Sequence, residues 1–138
     1  MTELSDEAIE TFARAAATRP APLTIVNLWH MGGAISDVGP EDTAFAERSS
    51  PFMMSIDGNW SDSDTDAEGK AWVRSTAADF ARYGTGSGYL NFTGLDDDDA
   101  RTGVDSAFGR NLARLAAVKH TYDPDNLFRR TNNIVPGR

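Results

Sequence analysis

The chain has 138 residues, 13 Lys plus Arg against 21 Asp plus Glu, and a formal net charge of −8. That length suits one ordinary domain, 1–138, able to bury roughly two thirds of the surface its unfolded chain exposes. The charge has the wrong sign for neutralising phosphates, which argues against nucleic acid and anionic membranes as partners, and the lack of cysteine removes disulfides, thiolate metal sites and cysteine nucleophiles.

Residues 4–18 predict an amphipathic helix. Ser5 is the expected N-cap, with Asp6 and Glu7 in the first turn where the helix dipole favours acid. Leu4 and Ile9 stand at hydrophobic-staple positions, and Ile9, Phe12, Ala13 and Ala16 form one stripe at helical spacing. Pro20 and Pro22 end the helix. Leu23–Met31 is rich in β-branched and aromatic residues and predicts a strand. Gly32-Gly33 punctuates it, and AISDVG is a candidate continuation of the sheet. Phe52–Ile56 predicts a second strand, closed by Asp57-Gly58-Asn59.

Thr65 and Glu68 have capping-box spacing ahead of a helix whose stripe is Trp72, Val73, Ala77 and Phe80. Gly88–Thr93 reads as a short strand and Asp96–Asp99 as an acidic loop. A third helix is expected over 104–120, with Phe108, Leu112, Leu115 and Ala116 inward. Pro124 disfavours helical geometry at Asp123 and stops it. The tail, about 123–138, reads as extended. Without regular strand–helix alternation, the class is α+β: an antiparallel sheet with helices on one face. The run near Leu23–Met31 is too short and polar to span a bilayer, and MTELSDEAIETF lacks the pattern of a signal peptide. The expectation is a cytoplasmic chain.

Several motifs fail on counting. Asp62, Asp64 and Asp66 imitate a calcium loop, but its Gly and Glu positions hold Ala67 and Val73. The glycines at 84, 86 and 88 do not follow a strand at dinucleotide-fingerprint spacing. His30 and His120 cannot make a usual zinc site without cysteine, and no metal is expected. No G-x-S-x-G elbow exists.

The C-terminal third carries a different kind of signal. Arg114-Leu115 with Lys119, then Tyr122 to Phe128 (YDPDNLF), then Asn133-Ile134-Val135-Pro136 stand in order. Upstream are Tyr89-Leu90-Asn91-Phe92, Trp29 to Ala34, and Thr43-Ala44-Phe45 followed by Arg48. Together these resemble the C-terminal portion of FAD-linked oxidases related to berberine bridge enzyme, over residues 23–136.

That resemblance implies the second half of an oxidase's substrate domain, an antiparallel sheet with helices on one side that covers FAD. The family's FAD-binding portion has no counterpart here. A partner is therefore implied, either an FAD-binding domain or chain or a second copy, and the isolated chain is expected to be inactive. The full enzyme would pass a hydride from a small-molecule C–H donor (an alcohol, sugar or amine) to FAD, with oxygen the usual reoxidant. Carried over by position, Tyr89 is the candidate catalytic phenol, since Phe92 replaces the tyrosine often found at the motif's last place. Asn91, Asn132 and Asn133 are the candidate cofactor contacts. Trp29 and His30 are candidate substrate contacts, or packing residues of their strand. The rival reading is a non-catalytic, stand-alone oligomerisation or small-ligand-binding module. A truncated reading frame is the trivial one.

Overall fold

The computed structural model describes residues 1–92, 97–130 and 132–137. They divide into two compact units, 1–33 with 49–85 and 34–48 with 86–137. Among the described residues no helix is long and apolar enough to cross a membrane.

The first unit is α+β. Helix α1 spans Asp6–Ala17, and Ser5 caps it, its Oγ accepting from the Ala8 N–H at 3.3 Å. Strands β1 (Ile25–His30) and β2 (Phe52–Asp57) pair antiparallel, from Ile25 opposite Asp57 to His30 opposite Phe52. Helix α2 spans Asp66–Ala81, and both helices contact the sheet. The buried face of α1 is Ala8, Thr11 and Ala15, while Ile9 is 49% exposed. The expected stripe is thus rotated. Small side chains let α1 close on its neighbours, and the Thr11 hydroxyl meets the Tyr83 hydroxyl at 3.2 Å. In α2 the buried residues are Gly69, Thr76 and Phe80.

The capping box at Thr65 does not form. The Thr65 hydroxyl donates instead to the Asp62 carbonyl at 2.7 Å. Asp62 caps a single 3-10 turn over Ser63–Thr65, and Asp66 accepts from the Trp60 indole at 2.7 Å and from Lys70 at 3.1 Å. The false calcium loop is therefore a helix entrance. Trp60 lies flat on α2: a Cβ at Gly69 would stand 2.6 Å from its ring. Thr24, 1% exposed, ties the start of β1 to the exit of β2 by exchanging hydrogen bonds with the Asn59 backbone.

The second unit holds helices α3 (Asp97–Phe108) and α4 (Leu112–Tyr122). One helix was expected over 104–120. Gly109 adopts φ +45, so the chain passes through a 3-10 turn over Gly109–Asn111 before α4 begins. Residues 97–99, expected in a loop, open α3; Asp96 lies outside the described residues. The buried positions around this break are Val104, Ala107 and Asn111, not the larger apolar residues expected. The AISDVG segment does not extend the sheet; Gly33–Ile35 is a 3-10 turn. Nor do residues 88–92 form a strand: Leu90–Phe92 is a 3-10 turn, and Thr93 lies outside the described residues.

Candidate functional site

In the second unit the sequence-selected residues gather around Tyr89. The Asn91 side-chain amide donates to the Tyr89 hydroxyl at 2.8 Å, a contact that a flat strand would not make and the 3-10 turn does. Phe45 and Phe92 each meet the Tyr89 ring edge-to-face, with centroids 5.6 and 5.4 Å away. Such geometry sets the positive ring edge against the negative face. Arg48 stands over Phe45, its guanidinium carbon 4.7 Å from the ring centre. The Asn132 amide donates to the Leu90 carbonyl at 3.2 Å, joining the tail to the same turn. The Oδ1 atoms of Asn132 and Asn133 are buried and accept no hydrogen bond from the described residues.

The tail is delivered by a braced turn. The Asp123 carboxylate accepts from the Leu127 N–H at 2.7 Å and the Phe128 N–H at 3.1 Å. Lys119 donates to that carboxylate and to the Phe128 carbonyl. The Lys119 ammonium, foremost, and these backbone N–H groups hold the Asp123 carboxyl below the ordinary carboxylate value. Asn126 takes the left-handed φ of 51 that asparagine tolerates better than most residues. The motif YDPDNLF is thus a lock.

Asn111 is the anchor that sequence reading missed. It is 5% exposed, and its amide donates to the carbonyls of Pro40 at 2.7 Å and Thr43 at 3.0 Å. The cleft beside it, lined by Glu41, Asp42, Thr43, Arg114 and Val118, holds only about 150 Å³. That is well below the roughly 300 Å³ at which small-molecule pockets begin.

In the first unit, Trp29 and His30 lie on opposite faces of β1, because side chains alternate along a strand. Trp29 is 45% exposed and opposite Met53. His30 tilts against Phe52 with ring centres 5.7 Å apart and lies over Gly32, whose absent Cβ would stand 2.8 Å from the imidazole. On the Trp29 face, the Asn27 amide donates to Ser55 at 3.3 Å and to the Asp57 carboxylate at 2.7 Å, and Ser55 donates to Asp57 at 3.2 Å. A Cβ at Gly58, one step past Asp57, would point into Val73 of α2. Alternation therefore puts α2 on the other face. Asn27, Ser55 and Asp57 escaped sequence reading because their meeting depends on cross-strand register. Among the described residues no three His, Asp or Glu side chains converge to hold a metal ion.

Residues 88–135 match the family described as "Berberine and berberine like". An uncharacterized FAD-linked oxidoreductase of Bacillus subtilis, YgaK, is 30% identical over 98% of this chain and 29% of its own length. The chain is similar to the C-terminal portion of berberine-like FAD-linked oxidoreductases. The FAD-linked oxidoreductase sorD of Penicillium rubens is 31% identical over 95% of this chain and 28% of its own length. A solved glycopeptide hexose oxidase, complexed with teicoplanin, superposes with a TM-score of 0.79 at 25% identity, covering 97% of this chain and 30% of its own. The chain thus spans under a third of the length of each of these relatives.

Proposed function

We propose that this chain is the substrate-side portion of an FAD-linked oxidoreductase that takes hydride from a small-molecule C–H donor such as an alcohol, sugar or amine. The observation that carries this is the neighbouring pair Asn132 and Asn133, each with a buried Oδ1 that accepts nothing from the described residues. Leaving a buried acceptor unmade costs about 1–3 kcal/mol. Two in succession call for a donor from elsewhere, and a flavin ring offers an N–H together with carbonyl acceptors. Amides suit such an edge because they both donate and accept. The residues present therefore fit the cofactor.

When bound, FAD supplies the hydride acceptor. The chain's own residues do the rest. Asn132, fixed through Leu90, and Asn133 would hold the ring edge, an amide oxygen accepting from its N–H and amide N–H groups donating to its carbonyls. Tyr89 would accept the donor's proton as its own O–H proton passes to solvent; Phe92 has none to exchange. Asn91 serves this site through the Tyr89 hydroxyl it already contacts. Within the first unit, Trp29 is the candidate substrate contact, with Asn27, Ser55 and Asp57 on its face; His30, on the opposite face, packs on Phe52 and Gly32. The hexose oxidase relative makes sugar hydroxyls the first donors to screen. An FAD-binding portion, in the same or another chain, completes the enzyme.

Titration of the full chain with FAD, followed by NMR of the Asn132 and Asn133 side-chain amides and the Tyr89 ring, tests the reading. Saturable shifts are expected, with Asn133→Ala weakening binding about fivefold, the equivalent of one lost hydrogen bond of about 1 kcal/mol. Unmoved signals at millimolar FAD in a folded chain refute it. The stand-alone module is favoured by one observation, the exposed apolar residues Leu23, Ile25 and Trp29 at 62%, 49% and 45%. Sedimentation showing a tight self-assembly that ignores FAD would support that module instead.

A further inference from the structure

We propose that Arg48 is a positioning residue for Tyr89: it clamps the loop 35–48, the clamped loop fixes Phe45, and the Phe45 ring sets the orientation of the phenol. The proposal rests on Tyr89 having the place in the site proposed above.

Tyr89 needs outside support. It follows Gly86, at φ +79, and Gly88, and it enters a turn of only three residues. Glycines leave the backbone more conformations than other residues do, so local geometry alone specifies the ring weakly. Its ring instead rests on Phe45, 44 positions earlier, and on Phe92. Phe45 lies in a loop without helix or strand beyond the turn at Gly33–Ile35.

Arg48 organises that loop. Its Nε donates to the Phe45 carbonyl at 3.1 Å, Nη1 to the Ile35 carbonyl at 3.0 Å, and Nη2 to the Thr43 hydroxyl at 2.6 Å. The three acceptors come from three points along the loop, and the guanidinium plane also covers the Phe45 ring. Five donors in a rigid fork allow all of this at once, and a lysine ammonium cannot reproduce it. The residue that holds the loop therefore also touches the ring that touches Tyr89.

The test is NMR of the full chain without FAD. The Tyr89 ring protons are expected to be displaced by the ring currents of Phe45 and Phe92. Arg48→Met should return them toward the positions of a free tyrosine, Phe45→Leu should do the same, and Arg48→Lys should recover only part of the displacement. In a Phe45→Leu background, Arg48→Met should add nothing further. A purely global role for Arg48 makes the two effects additive instead. Unmoved Tyr89 signals in folded Arg48→Met, or additive effects, overturn the proposal. If Arg48→Met does not fold, Arg48→Lys is read by the same criteria. FAD silence alongside a released Tyr89 refutes the flavin reading and leaves Arg48 in place. FAD binding alongside an unmoved Tyr89 does the reverse.

Discussion

Replacing Asn111 tests whether one buried amide holds the second unit together. Its two N–H donors reach the carbonyls of Pro40 and Thr43 at 2.7 and 3.0 Å. Two carbonyl acceptors leave no choice about which end of the amide faces them. Each bond is worth about 1 kcal/mol net, so Asn111→Ala should lose about 2 kcal/mol. The loss stays near this lower figure because Pro40 and Thr43 are exposed residues whose carbonyls water can reach once the amide is gone. Asn111→Asp has the same shape and no donor. It sets a carboxylate against two carbonyl oxygens and should cost more than the alanine at neutral pH, by about 1 kcal/mol or more. That ordering should reverse in mild acid, where a protonated carboxyl can donate to one carbonyl. The assay is urea unfolding followed by circular dichroism. Tryptophan fluorescence is the wrong probe, since Trp29, Trp60 and Trp72 all lie in the first unit. With a urea slope of about 2 kcal/mol per molar, the alanine midpoint should fall by about 1 M. If Asn111→Asp is as stable as the parent at neutral pH, the donor assignment is wrong and the reasoning fails.

Gly69→Ala gains up to about 1 kcal/mol of helix propensity but drives a methyl into the Trp60 ring, an overpacking cost of about 1–3 kcal/mol. The melting temperature should fall, and the same substitution should stabilise a Trp60→Ala chain; a rise in the parent contradicts the packing. Asp66, held low foremost by the Trp60 indole and then by Lys70, and Asp123, held low foremost by Lys119, share one sign. A depressed folded pKa contributes stability that is fully present above the ordinary carboxylate value near 3.8 and is lost as pH falls through the lower folded value. Asp66→Asn and Asp123→Asn should each flatten this acid limb of a stability–pH curve; an unchanged limb refutes the assignment. Lys119→Met should speed hydrogen exchange at the Leu127 and Phe128 amides while α1 is unaffected, and unchanged protection there would mean that Asp123 holds the turn without its lysine.

What was legible in the sequence is what local chemistry decides. Ser5 caps α1 because a hydroxyl one residue before a helix can reach the N–H it needs. YDPDNLF reads as a stop because Pro124 and Asp123 act within a few residues. The strand pair is legible from composition. The α+β class follows from element order, and the family likeness from motifs in sequence. The misreadings share another cause. Gly88–Thr93 alternates like a strand, yet Phe45 and Asn132, both distant in sequence, hold Tyr89 and Leu90 in a turn. Gly109 is tolerable in a helix by propensity, and only its positive φ reveals the break. The buried stripe of α1 depends on which small residues its neighbours admit. At the candidate site, residue types were legible and contacts were not. The Asn91–Tyr89 contact depends on the 3-10 turn that brings the two side chains together, and Asn111 carries no motif at all.

The second unit is not one stretch of chain. Residues 34–48 depart between β1 and β2, and the chain rejoins the first unit at 49. The family match begins at 88, so a gene trimmed to that match discards part of its own fold. Asn111 would lose both its acceptors, Arg114 the Glu41 carbonyl it binds at 3.1 Å, and Tyr89 the Phe45 ring. Adding the missing piece as a separate peptide would restore these contacts only at the cost of a bimolecular association that the covalent loop avoids. For subcloning, fusion or domain exchange in this family, the workable cassette begins ahead of β1, well upstream of where sequence likeness draws the border.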